Sequence, residues 1–353
     1  MQSVITKFIG CDLGDEFSHV CILDADGEVV KRKKIATNRE SFTNTFEMAE
    51  GEPYRIVIEA GTHSPWVNRL LKSLGHEVVV ANPRKVQLIS ASQDKNDRVD
   101  AERLARLGRA DPRLLSPIEH RSEDSQQKLI PIKMRRQLVE TRTSLINFVR
   151  GTAKSLGIKL LKCDSSCFVD RASAQLPKEL ASTLKPMLKI IDEVDARIAA
   201  IDKVIDKRAE KSGSVIALTQ ITGVGALTAQ TFIYTIDDPK RFKRSRDVGA
   251  FLGLTPRRSQ SGKGDPQLRI TKCGDVYLRS LLVNCSHYIL GPFGPDCDLR
   301  RHGERIAKDG GKNAKKRAII AVARKLAVLL HRLWTTGEEY QALGYGQTQQ
   351  AAA

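Results

Sequence analysis

The sequence predicts an α/β domain over residues 1–115, a helical middle with a coiled-coil-like seam over 122–211, a mainly α region over 212–340 and a disordered tail over 341–353. Three observations carry this. Short β-prone runs bounded by turn residues alternate with helical stretches in the first third. Apolar residues then recur at alternating steps of three and four, and the last third joins glycine turns to a long helical period. A chain of 353 residues also exceeds what one core usually supports, so more than one domain is expected.

Taken in order, Phe8 to Asp12 and His19 to Leu23 read as strands, and Asp24-Ala25-Asp26-Gly27 is a hairpin turn into a third strand over Glu28 to Lys33. A helix capped near Ser41 follows, then a strand Arg55 to Ile58, a helix from Ser64 to Leu74 stopped by Gly75, and a strand His76 to Val80. From Ser122 to Gly157 the pattern is helical and basic, with Pro131 arguing for a start or a kink. Leu184, Leu188, Ile191, Val194, Ile198, Ile201 and Ile205 form the seam, which serves either self-association or an antiparallel hairpin within the chain. A long helix is predicted from Ala314 to Leu333, and Ala342 to Ala353 has a tail-like composition.

A formal net charge of +17 and a pI near 9.6 favour a polyanionic partner, because Lys and Arg neutralising phosphates supply most nucleic-acid affinity. No apolar run approaches the roughly 20 residues of a spanning helix and no signal peptide opens the chain, so a cytoplasmic protein without membrane partners is expected. Seven scattered cysteines do not form a disulfide framework and read as reduced thiols. Arg135, Arg136, Arg142 and Arg150 mark either a nucleic-acid face or a solvated helix face.

Asp12 lies inside the first strand among apolar residues, where a carboxylate is costly unless it meets a cation or a donor. Glu59 emerges at the carboxyl end of its strand, and Asp97 and Asp100 share one face at the start of a helix. Taken singly, Asp97 reads first as a helix cap, Glu59 as a strand-end surface residue and Asp12 as the partner of an arginine. Together they suit Mg2+, commonly held by a few carboxylates, water and substrate phosphates, and two such ions can serve phosphodiester transfer.

Leu218 to Ala229, with Gly223 and Gly225, reads as a helix-hairpin-helix-like element whose glycine turn either approaches a phosphate or is an ordinary helical turn. Thr255 to Gly264 is a polar, basic loop in which Arg257, Arg258, Lys263 and the later Arg269 could hold a phosphate. By local chemistry alone Ser261 is first a phosphate contact, since a serine needs activation to act as a nucleophile.

Gly10-Cys11-Asp12-Leu13, Ile58-Glu59-Ala60-Gly61 and Asn96-Asp97-Arg98-Val99-Asp100-Ala101, with Thr222 to Gly225 and Thr255 to Gly262, resemble the DEDD transposases of the insertion-sequence 110 and 1111 type, which include the Piv DNA invertases. The resemblance spans nearly the whole chain. It implies a RuvC-like, RNase-H-like first domain with Asp12, Glu59, Asp97 and Asp100 as catalytic metal ligands. It further implies a C-terminal transposase domain whose serine, Ser261, attaches covalently to DNA, although Ser259 lies two residues away. Donor and target DNA, an element-encoded guide RNA and a homodimer or homotetramer with a composite site follow from the same resemblance. The alternatives are a Holliday-junction-type nuclease in which the serine loop only binds phosphate, and a non-catalytic nucleic-acid-binding protein.

Overall fold

The computed structural model describes residues 5–47, 52–84, 97–261, 264, 266, 268–308 and 310–344. They form two compact units, residues 1–121 and 122–353.

The first unit is built on a five-stranded sheet of β1 (Phe8–Leu13), β2 (Phe17–Leu23), β3 (Val29–Ala36), β4 (Arg55–Glu59) and β5 (Glu77–Ala81), in the order β3-β2-β1-β4-β5. β1, β2 and β3 are an antiparallel meander, and β4 and β5 run parallel to β1. Side-chain alternation assigns the two faces. Ile9, Cys11, Ile56 and Ile58 pack with Phe42 and Phe46 of α1 (Arg39–Phe46) and Val67 and Leu71 of α2 (Ser64–Ser73). Cys21 and Val57 face the opposite way, toward Ala101, Leu104 and Ala105 of α3 (Asp97–Ala110). The predicted strands are present with ends one to three residues longer or shifted, as pairing rather than composition sets a strand's end. The first helix is capped by Asn38, whose side chain accepts from Ser41 N–H, so Ser41 lies inside the helix.

The second unit is helical: α4 (Glu123–Ser155), α5 (Phe168–Gln175), α6 (Lys178–Glu210), α7 (Gly213–Thr219), α8 (Ala226–Ile236), α9 (Asp247–Phe251), α10 (Val276–Leu290), α11 (Asp298–Lys308) and α12 (Ala314–Thr336). α4 starts at the Ser122 cap and runs through Pro131, correcting the expectation of a start there. α4 and α6 pack as an antiparallel hairpin that buries Leu184, Leu188, Ile191, Ile198 and Ile205, so the heptad-like seam packs within the chain. α8 is buried at every residue from Thr228 to Ile236 and forms the centre of the unit. Residue 342, which composition placed in a disordered tail, is held in place, since Asp298 N–H donates to Ala342 O at 2.9 Å; residues 345–353 lie outside the described residues. All seven cysteines are free thiols. No described helix is long and apolar enough to cross a membrane.

Candidate carboxylate site and serine arm

β1 and β4 pair in parallel as far as Cys11 and Ile58, so the next residue on each strand, Asp12 and Glu59, stand side by side at the sheet's carboxyl end. α3 delivers the other two acids. Its approach depends on small residues: a Cβ on Gly10 would lie 1.9 Å from Ala101 O, and one on Gly108 would lie 2.2 Å from Val57 Cγ2. This close seating of α3 on β1 brings Asp97 and Asp100, in its first turn, within electrostatic reach of Asp12.

The carboxylates repel one another. Burial, followed by the charges of Asp97 and Asp100, holds the Asp12 carboxyl above its ordinary range, while His19 acts in the opposite sense. Burial, followed by Asp12 and Asp100, raises Glu59 in the same way. Compensation within the protein is partial: His19 Nδ1 is 3.6 Å from Asp97 Oδ2, and Arg103 Nη1 is 3.3 Å from Asp100 Oδ1. Among the described residues, no three His, Cys, Asp or Glu side chains form a ready metal cage, so the acids are an open cluster. An all-oxygen donor set with excess negative charge fits a hard divalent cation that keeps water and accepts phosphate oxygens as further ligands.

Sequence reasoning missed two histidines here. His19 is the cross-strand partner of Asp12, and His63, at the start of α2, meets Asp15 Oδ1 at 3.1 Å through Nε2. The first became legible only once the register of β2 against β1 was known.

In the second unit the polar loop is a β-arm. Thr271 N–H donates to Thr255 O, Arg257 N–H to Arg269 O, and Ser261 and Gly264 exchange both backbone hydrogen bonds, which places Ser261 at the tip. Arg257, Arg258, Ser259, Ser261 and Arg269 are exposed; Gly262 and Lys263 lie outside the described residues. The arm's root is rigidly held. Gly253 and Gly274 both have positive φ, and a Cβ on Gly274 would lie 2.1 Å from Phe251 O. The nearly buried Arg279 donates from Nη1 to Leu252 O at 2.9 Å and to Cys273 O at 2.6 Å, joining the two strands below the arm.

The helix–turn–helix around Gly223 is formed by α7 and α8. Gly223 turns the chain at φ 92°, a conformation that favours glycine, and a Cβ there would lie 3.0 Å from Tyr288 Cδ1 of α10. Gly225 caps α8 and is open to solvent. The four arginines read as either a nucleic-acid face or a solvated face each have an intrachain partner. Arg135 and Arg142 pair with Asp202 and Asp195 across the α4–α6 hairpin, Arg136 pairs with Glu140 and covers the Tyr277 ring, and Arg150 donates to Leu160 O and Leu161 O. Alternating charge on a long helix signals partners without revealing which helix supplies them.

Two family models match the chain. One, for transposases of the DEDD IS110 type, covers residues 9–157, and the other, for the transposase IS116/IS110/IS902 family, covers residues 216–293. A relative named as a transposase, y4pF/y4sB of Sinorhizobium fredii (strain NBRC 101917 / NGR234), is 32% identical over 96% of this chain and 87% of its own length. The transposase for insertion sequence element IS1111A of Coxiella burnetii (strain RSA 493 / Nine Mile phase I) is 27% identical over 95% of this chain and 91% of its own. The pilin gene-inverting protein of Moraxella bovis is 27% identical over 91% and 94%. With the first relative matched nearly end to end and both transposase regions present in order, the chain belongs to the IS110/IS1111-type insertion-sequence transposases, enzymes that recombine DNA.

Proposed function

We propose that this transposase cuts and rejoins donor and target DNA with Asp12, Glu59, Asp97 and Asp100 as ligands of Mg2+, two ions in the working complex, and Ser261 as the nucleophile. The observation that carries the reading is the pairing of Asp12 with Glu59 at adjacent strand ends, under a helix that adds two more acids. Bound there, Mg2+ would supply charge neutralisation and polarise phosphate oxygens. The chain's own part is to hold four carboxylates close despite their repulsion, with the rest of the ligand set left to water and substrate.

Ser261 suits a nucleophile by exposure rather than by internal activation. Attack by its Oγ would form a bond to phosphorus while the bond to the departing deoxyribose oxygen breaks and that oxygen takes up a proton. Arg257 and Arg269, level with each other across the arm, would face the charge that develops on the phosphate. The reverse step, with the hydroxyl of an incoming strand, would release the serine and join the DNA. Guidance by an element-encoded RNA and a composite site in a homodimer or homotetramer complete the proposal; both rest on the family.

The test mixes protein, Mg2+, the RNA transcribed beside the element and end-labelled DNA bearing the element's terminus, followed by a denaturing gel. A protein–DNA adduct in wild type that disappears in both Asp12→Asn and Ser261→Ala is expected. Cleavage without an adduct would replace this reading with a water-using nuclease and leave Ser261 as a phosphate contact.

A further inference from the structure

A cavity of about 270 Å³ opens next to the carboxylate cluster, and its polar lining is His19, Arg32, Lys33, Lys34 and Arg98. No carboxylate lines it among the described residues. Its position follows from the sheet register. His19 pairs with Asp12 on one side and with Lys34 on the other, so Asp12, His19 and Lys34 form one row across three strands. Directly opposed residues project to the same face, and two interstrand spacings separate Asp12 from Lys34 by roughly 10 Å.

The charges in this row are sorted: acids toward β4 and cations toward the edge strand β3, with His19 between them. Arg32 is paired with Glu102 at 2.7 Å, and Lys33 stands opposite Val20, whose side chain packs on the other face of the sheet, which leaves Lys34 as the main cation of β3 in this row. Lys34 Nζ lies 4.3 Å from the Phe17 ring centroid, a contact that orders the side chain while leaving its ammonium at the surface. The unit around them is neutral, since residues 1–121 contain eighteen Lys and Arg and eighteen Asp and Glu. A local concentration of cations in a neutral body, lining a concave site, is the arrangement that holds an anion.

We infer that this pocket binds a backbone phosphate of the DNA strand being cut, one or two nucleotides from the scissile phosphate. The occupant is DNA because the pocket shares His19 with the cluster: its ring meets Asp97 and its strand position adjoins Asp12. A strand threaded over the carboxylates must carry its next phosphates past this point, where the flanking cations face them. The inference rests on the carboxylates being the cutting site, and its test is separable from that premise.

Full-length wild type and a Lys34→Gln variant are titrated with a fluorescent duplex bearing the element's terminus, over a range of salt. Loss of one phosphate contact predicts a slope of log affinity against log salt that is shallower by about 1 in the variant. A set of duplexes, each with one phosphate made neutral as a methylphosphonate, locates the contact. Wild type should lose affinity at one position beside the cleaved bond, and the variant should be indifferent to that same substitution. An unchanged slope, or equal sensitivity of both proteins at every position, would overturn the inference. So would a loss seen only with the element's RNA, which would assign the pocket to RNA. Unchanged thermal melting establishes that the variant folds. Cleavage by Glu59→Gln is measured alongside: if it cuts normally the carboxylate premise fails, whereas the salt slopes still report on the pocket.

Discussion

At the scale of single residues, the carboxylates lower the stability of the metal-free protein. Asp12 and Glu59 have folded-state carboxyls raised above their ordinary values of 3.8 and 4.5, so the folded state holds their protons more tightly than the unfolded chain. Stability from this source is present below those values and is lost as pH rises through the raised ones. Glu59→Gln should therefore raise the melting temperature of the metal-free protein by a few degrees at about pH 7.5 and lose that advantage near about pH 4, where wild type is protonated too. Millimolar Mg2+ should reverse the ranking, since a ligand that binds only the folded wild type stabilises only the wild type. Thermal melts at two pH values, with and without Mg2+, decide this; a Glu59→Gln variant less stable than wild type in every condition would contradict the repulsion. Gly10 makes an independent point. Any side chain there collides with the backbone of α3, so Gly10→Ala should cost about 3 kcal/mol or more and displace Asp97 and Asp100 from the cluster. Urea unfolding measures the first effect, and loss of the Mg2+-dependent melting shift measures the second.

At the scale of elements, sequence and structure agree where one periodicity acts alone. The meander, the β4–α2–β5 passage and the acidic start of α3 were legible because short apolar runs and helix starts are bounded there by turn residues close in sequence. The arm over residues 255–271 was not, because its first side carries Pro256, Ser259 and Ser261 and its second Gly264 and Pro266, a polar composition that reads as loop. Nor were the partners of Arg135 and Arg142, which depend on the packing of α4 against α6. Those half-buried pairs give a test of the hairpin. Arg142→Met should lower stability by about 1–2 kcal/mol through the stranded Asp195, yet leave the salt slope of DNA binding unchanged. A shallower slope would place Arg142 on the nucleic-acid surface. The arm's root yields a second test. Arg279→Met leaves the Leu252 and Cys273 carbonyls without their donor, an expected cost of about 2–3 kcal/mol. Trypsin should then cut faster at Arg257, Arg258 and Arg269 than in wild type, and the yield of protein–DNA adduct should fall while DNA affinity holds. Unaltered adduct yield would mean that the arm's position does not depend on this clamp.

At the scale of the whole molecule, charge and chemistry are divided between the two units. Because residues 1–121 are neutral by formal count, the entire net charge of +17 belongs to residues 122–353. Composition of the whole chain pointed to a nucleic-acid partner but could not say which part attracts it. The long-range attraction therefore belongs to the helical unit that carries Ser261, while the unit with the four carboxylates contributes no net field of its own. A carboxylate cluster that repels phosphate when metal-free fits this division, since positive charge is supplied elsewhere in the chain. Each unit has its own buried core, so each should fold when expressed separately, which circular dichroism and thermal melting can establish first. Given folded halves, residues 122–353 should bind a DNA duplex with nearly the salt slope of the full chain, and residues 1–121 with a slope of only about 1 to 2. A steep slope for residues 1–121 would show that local patches outweigh formal charge. A shallow one for residues 122–353 would mean that its Lys and Arg side chains are largely committed to intrachain partners of the kind already seen at Arg135, Arg142 and Arg279.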